Sequence, residues 1–125
     1  MLDTKSAPKT GEGAWLWLIK IVTGPILVVI AFIHLVVNHS LGSAPGGLLT
    51  YQDVVAYYQN PLIPAMEIIF LITVVTHCLI GVRSIVLDLQ PSKGALKAWD
   101  WALLLLGSGT VLYGIWLALK IASYS

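Results

Sequence analysis

Three long stretches of the chain are nearly unbroken runs of apolar residues, and most polar positions fall in the segments between them. A bilayer core about 30 Å thick is crossed by roughly 20 apolar residues in a helix. The runs over residues 14–37, 62–87 and 101–121 each reach that length and predict three membrane-spanning helices. The first carries one formal charge, Lys20. The second contains Glu67, His77 and Arg83, and the third ends at Lys120. Residues 1–13 predict an N-terminal tail, and residues 14–121 a single three-helix transmembrane domain. Between the first two runs, the Gly, Ser and Pro residues at 41–47 predict a flexible turn. The stretch T-Y-Q-D-V-V-A-Y-Y-Q, residues 50–59, predicts a short amphipathic helix lying on the membrane surface. Trp15, Trp17, Trp99 and Trp101 cluster near the expected span ends, where indole rings favour the interface.

Composition supports that pattern. Of 125 residues, 58% are hydrophobic and 10% charged, against about 25% charged in soluble domains. The expected fold class is therefore an all-α membrane protein. A net charge of +1 spread over seven Lys and Arg gives no basic face for nucleic acid. The single cysteine, Cys78, forms no intrachain disulfide and belongs to no zinc-type spacing. The first run is long, lacks an A-x-A-like site before it and is followed by further spans, so it reads as a helix rather than a signal peptide. Lys5, Lys9 and Lys20 lie in or near the tail, and Lys93, Lys97 and Arg83 in or near the second loop. The first loop, residues 38–61, has no basic residue. The positive-inside rule then places the N-terminus in the cytoplasm and the C-terminus outside, with Lys120 the exception; the expected location is a prokaryotic cytoplasmic membrane.

Ionisable residues inside a membrane are rare and face protein, cofactor or water. Here they are His34, Glu67, His77, Arg83 and Asp88. At 3.6 residues per turn, His77, Gly81, Ser84 and Asp88 share one helix face. A histidine with a glycine one turn later admits a flat, bulky group to the backbone, and haem is such a group. Neutral imidazole is a good axial iron ligand. Arg83, about 9 Å further along the helix, suits a haem propionate. Helix rise places His77 about 16 Å, and His34 about 30 Å, from the cytoplasmic end. An offset of about 14 Å is too large for both to bind one iron, but two irons at different depths would fit. Other readings stand beside this. His77 can bridge two helices by a hydrogen bond, His34 can be an interfacial residue, and Arg83 can snorkel to the membrane surface. His39, at or past the end of the first span, reads as a polar residue marking the membrane surface.

The stretches H-L-V-V-N-H (34–39) and T-H-C-L-I-G-V-R-S-I-V-L-D (76–88) resemble the membrane anchor subunits of succinate:quinone oxidoreductase (complex II) and fumarate reductase. The second fits the family pattern His-x-x-x-Gly-x-Arg-x-x-x-x-Asp. The resemblance covers about residues 20–90. It implies that His77 and His34 are axial iron ligands of two haem b groups, with Gly81, Arg83 and Ser84 beside the cofactor. It implies that the remaining ligands come from a second membrane anchor subunit, so that this chain is half of a haem-binding helical bundle. It also implies a flavoprotein subunit and an iron–sulfur subunit on the cytoplasmic side, oxidising succinate as in the tricarboxylic acid cycle. Electrons would then pass to menaquinone or ubiquinone. Members with one haem use only the histidine corresponding to His77. Two departures concern the quinone site. The family's Arg before a Ser/Thr-Gly pair is replaced by K-I-V-T-G (20–24), and its Asp-Tyr pair by Asp88-Leu89. Should an outer quinone site exist, Glu67 is the candidate proton carrier. No nucleophile or catalytic dyad is visible. The alternatives are a b-type cytochrome subunit of another membrane dehydrogenase and a cofactor-free three-helix protein.

Overall fold

The computed structural model describes residues 11–41 and 49–124. The turn expected at 41–47 and most of the N-terminal tail lie outside the described residues. The described chain forms four helices: α1 (Ala14–Leu41), α2 (Tyr51–Tyr58), α3 (Leu62–Asp88) and α4 (Lys93–Ala122). Three of them, α1, α3 and α4, are long and apolar enough to cross a membrane. The fold is thus an all-α membrane protein, as the three apolar runs predict.

The short elements follow local chemistry. α2 starts at a reciprocal capping box: the Asp53 amide donates to the Thr50 hydroxyl, and the Thr50 amide donates to the Asp53 carboxylate. The Thr50 hydroxyl also donates to the Asp53 carboxylate at 2.7 Å, and that bond, then the one from the Thr50 amide, holds the Asp53 carboxyl below its usual range. After α3 the chain turns through Gln90, whose φ of 50° lies in the left-handed region. Pro91 follows, and Ser92 caps α4 by accepting from the Ala95 amide at 3.2 Å. That cap starts α4 eight residues before the span expected at 101. Apolarity marks where a helix enters lipid, whereas a cap marks where it begins. Lys93, Lys97 and Trp99 therefore lie on α4 itself. α1 likewise runs to Leu41, past the expected end at 37, and His39 sits in its last turn, where a basic group complements the helix dipole.

α3 is the middle helix. Among the described residues α1 and α4 each pack along it and barely meet each other, while α2 rests against α4 and α3. Helical geometry explains this layer. Glu67, Phe70, His77 and Ser84 occupy one side of α3 and touch α1. Leu71, Val75 and Leu79 occupy the other side and meet α4 at Gly107 and Gly114. The core is thin: among the described residues, Ile63, Pro64, Ile80, Val86, Leu103 and Ala118 are the buried apolar side chains. Most other large apolar side chains, such as Val28, Phe32 and Leu35 of α1 and Leu105, Leu112 and Trp116 of α4, face outward. That outward face suits lipid or other membrane helices.

The α3–α4 contact depends on missing side chains. A Cβ at Gly107 would overlap Leu79 Cδ1, and one at Gly114 would overlap Leu71 Cδ2, whereas one at Gly109 would meet nothing within 4 Å. Gly107→Ala and Gly114→Ala must each displace a leucine methyl and are expected to be less stable than Gly109→Ala, which meets nothing and should gain up to about 1 kcal/mol of helix propensity. Thermal unfolding in detergent checks this ordering.

Candidate functional site

Among the described residues, four clusters of polar contacts tie α3 to its neighbours, and three of them lie in the seam with α1. Near the N-terminal end of α1, Lys20 Nζ donates to Ser84 Oγ at 3.1 Å and pairs with Glu12, whose side chain is 2% exposed. Gly11 permits this approach. Its φ of 85° folds the segment back against Leu87, a conformation that disfavours any residue with a Cβ. One turn further along α1, Thr23 Oγ1 lies 3.0 Å from His77 Nδ1. The imidazole rests against Gly24, where a Cβ would stand 3.5 Å from His77 Cε1. A Cβ at Gly81, one turn along α3, would meet nothing within 4 Å. There is open room beside His77.

The third seam contact lies towards α2. His34 Nδ1 is 3.1 Å from a Glu67 carboxylate oxygen, and the His34 ring sits 4.7 Å from that of Phe70. Asn38, one turn after His34, donates to the His34 carbonyl oxygen at 2.8 Å and to Glu67 at 3.3 Å. The Tyr57 hydroxyl of α2 donates to Asn38 Oδ1 at 2.7 Å, which docks α2 onto this cluster. A cavity of about 190 Å³ adjoins it, lined by Tyr58, Glu67, Leu71, Gly114 and Ala118.

The fourth contact is on the other side of α3. Arg83 Nε donates to Asp100 Oδ1 at 2.7 Å, and its Nη2 to Oδ2 at 3.3 Å. This fork borders an open groove of about 570 Å³ with Val75, Leu79, Leu104 and Gly107. The sequence reading joined Arg83 to His77 in one site. At about 100° per residue, six residues turn Arg83 some 120° away from His77, and the structure accordingly points it at α4. His77, Gly81 and Ser84 do share the α1-facing side.

The two histidine contacts fix the antiparallel register of α1 and α3. Thr23 and His34 are 11 residues apart on α1, and His77 and Glu67 are 10 apart on α3. Both separations correspond to about 15–16 Å of helix, close to the offset expected from span positions. Thr23, Asn38, Tyr57 and Asp100 were not singled out in the sequence. Asn38 had a usable signal, since it follows His34 at helical i+4 spacing. Asp100 had a weaker one, as a carboxylate between two interfacial tryptophans. Thr23 and Tyr57 acquire meaning only from the partner helix.

The chain matches the succinate dehydrogenase/fumarate reductase transmembrane subunit family over residues 5–115. It is 29% identical to the succinate dehydrogenase hydrophobic membrane anchor subunit of Archaeoglobus fulgidus over 124 residues, covering 97% of this chain and all of that protein. It is 30% identical over 76 residues to the succinate dehydrogenase 2 membrane subunit SdhC of Mycobacterium tuberculosis, covering 61% of this chain and 54% of that one. No solved structure matches significantly. The chain belongs to this family of transmembrane subunits.

The α2 docking site makes a prediction about pH. Burial, and then the negative charge of Glu67, raises the Tyr57 hydroxyl above its usual value, and the same two causes together with Tyr57 push Tyr58 up to about 12. A raised value means the folded state favours the neutral phenol. The docking contribution is therefore complete below pH about 10, the unfolded value, and is lost as pH rises from there towards 12. Tyrosinate absorbance should show Tyr57 and Tyr58 ionising after an ordinary tyrosine, and Glu67→Gln should bring Tyr58 down.

Proposed function

We propose that this family member is a haem b-binding membrane anchor of a succinate:quinone oxidoreductase, in which His77 and His34 each ligate a different iron. The observation that carries this reading is the register of the seam. It sets two imidazoles about 15–16 Å apart along the helices, each held at Nδ1 by an α1–α3 contact. One iron cannot take both, so each needs a second ligand from another chain, a second anchor subunit. The donor set fits the group. His77 keeps Nε2 without a hydrogen bond among the described residues, and Gly81 leaves room for a flat macrocycle beside it.

A haem with two histidine ligands supplies one-electron transfer and offers no open iron position. The residues of this chain orient and bury that group. Phe70 packs against His34 with the rings tilted by 33°, while Glu67 holds its Nδ1 and the Asn38 amide lies within 3.1 Å of Nδ1 and 3.4 Å of Nε2. The Lys20–Glu12–Ser84 cluster closes the seam below His77 with its polar atoms satisfied. The distribution of Lys and Arg supports a cytoplasmic position for that end. A flavoprotein and an iron–sulfur subunit would dock there and deliver electrons from succinate. A membrane quinone, menaquinone or ubiquinone, would accept them. Arg83, already held by Asp100, would meet a propionate only in addition to that ion pair.

The purified complex is expected to contain two haem b per copy of this chain and to co-purify with a flavoprotein and an iron–sulfur protein. His77→Ala should remove one haem from the reduced spectrum and His34→Ala the other, while His39→Ala removes neither. A wild-type complex without a b-type spectrum, or an unchanged spectrum in His77→Ala, would refute the assignment. Loss of haem in His77→Ala alone would reduce the count to one.

A further inference from the structure

The geometry points to Thr23 as the positioning residue that fixes the tautomer of His77 and, through it, the redox poise of the haem that His77 ligates. The inference rests on the proposed haem ligation by His77. It begins with the one hydrogen a threonine hydroxyl owns. Thr23 Oγ1 lies 2.7 Å from the Ile19 carbonyl oxygen, 3.2 Å from that of Lys20 and 3.0 Å from His77 Nδ1. A carbonyl oxygen only accepts, and an oxygen pair at 2.7 Å requires a hydrogen between them. The Thr23 hydrogen is therefore committed to its own helix, in the back-bonding geometry common for threonine in membrane helices. Towards His77 the hydroxyl then has only a lone pair to offer. Nδ1 must carry the proton, and a neutral imidazole protonated at Nδ1 presents its free lone pair at Nε2.

The arrangement is a hydroxyl version of the hydrogen bond that metal-bound histidines commonly donate through their second nitrogen. Its effects are specific. It stops the ring from rotating about its Cβ–Cγ bond, and it raises the donor strength of Nε2, which favours ferric over ferrous iron. The backbone around Thr23 supports the role. Gly24 brings α1 close enough for the imidazole to lie against it, with Pro25 next in the helix. Thr23 reaches His77 across the seam without entering the space beside Gly81, where no neighbour stands within 4 Å of a Cβ.

The test uses the whole complex carrying Thr23→Val, Thr23→Ser or Gly24→Ala. The readouts are haem content, the midpoint potential of the His77 haem and its low-spin ferric paramagnetic resonance signal. Valine keeps the shape but cannot accept a hydrogen bond. Thr23→Val should raise the potential by an amount on the order of a tenfold shift in the ferric–ferrous ratio, about 59 mV for one electron, and change the ferric signal. Thr23→Ser should behave as wild type. Gly24→Ala, whose Cβ would make an ordinary contact with the ring, should leave the potential in place. A Thr23→Val complex with wild-type potential and signal overturns the inference while leaving His77 ligation standing. So does an equal shift in Gly24→Ala, which would make packing the cause. Should Thr23→Val lose the haem, Thr23→Ser decides: retention at wild-type potential supports the hydrogen bond, and loss in both overturns it. His77→Ala with an unchanged spectrum would instead remove the ligation on which the inference rests.

Discussion

Hydrocarbon offers no hydrogen bonds, so every polar side chain placed within it must find its partner inside the protein. That constraint organises this structure more than hydrophobic burial does. The buried apolar core is small, and among the described residues no large side chain is fully enclosed. The polar groups of the spans, by contrast, are paired, some across helices and others, such as Thr73 and Thr110, to their own helix, and among the described residues no buried side-chain nitrogen or oxygen lacks a partner. Lys20 with Glu12 and Ser84, Thr23 with His77, and His34 with Glu67 and Asn38 run as three rungs along the α1–α3 seam. Each rung fits only one register. A slide of α1 by one helical turn, about 5.4 Å, would separate all three sets at once. Polar contacts in membranes are individually modest, but together they specify the register to which lipid-like side chains are indifferent.

The two sides of α3 solve different problems. Facing α4, the contact is made by shape: leucines enter the gaps left by Gly107 and Gly114, and one forked ion pair, Arg83 to Asp100, anchors the end. Facing α1, it is made by hydrogen bonding. The division follows from the sequence of α3, in which the two faces are about 150° apart and carry different residue types. It also separates functions. The histidine that could serve a cofactor is on the polar face, where its second nitrogen can be oriented. The arginine is on the shape-packed face, where its charge is already answered.

The three apolar helices, the short helix α2 and the shared face of His77, Gly81 and Ser84 were legible in the sequence because each rests on a short-range pattern. Apolar length, alternation within one amphipathic stretch and helical spacing need no knowledge of neighbours. The start of α4 before the expected span was not legible, because Ser92 caps it and its first two turns carry Lys93, Lys97 and Asp100, and hydropathy is silent on a helix that begins in water. The partners were not legible at all. Nothing in the sequence said that Thr23 faces His77, that Asp100 answers Arg83 or that Tyr57 reaches Asn38. These pairings are set by the crossing of helices, which no residue spacing within one helix encodes. Arg83 shows the cost most clearly. Along the chain it is two turns from His77, and only its rotation about the helix axis separates the two.

A layer of three helices with α3 in the middle cannot enclose anything on its own. The seam holds Nδ1 of each imidazole, with Asn38 also 3.4 Å from Nε2 of His34, and its outward surfaces are aliphatic and aromatic side chains that water would disfavour. A flat cofactor beside His77 would be covered on the α1–α3 side by this chain, and its opposite face would need further helices bearing a second ligand. The same logic applies at His34, about 15–16 Å along the seam. The proposal of a second anchor subunit thus follows from coordination number and from the open shape of the layer together. A chain that supplies one imidazole per level, each pre-oriented by a partner on the neighbouring helix, is suited to completing a site between subunits. It would make assembly a condition for binding the cofactor, and the cofactor in turn a bridge that holds the subunits in register.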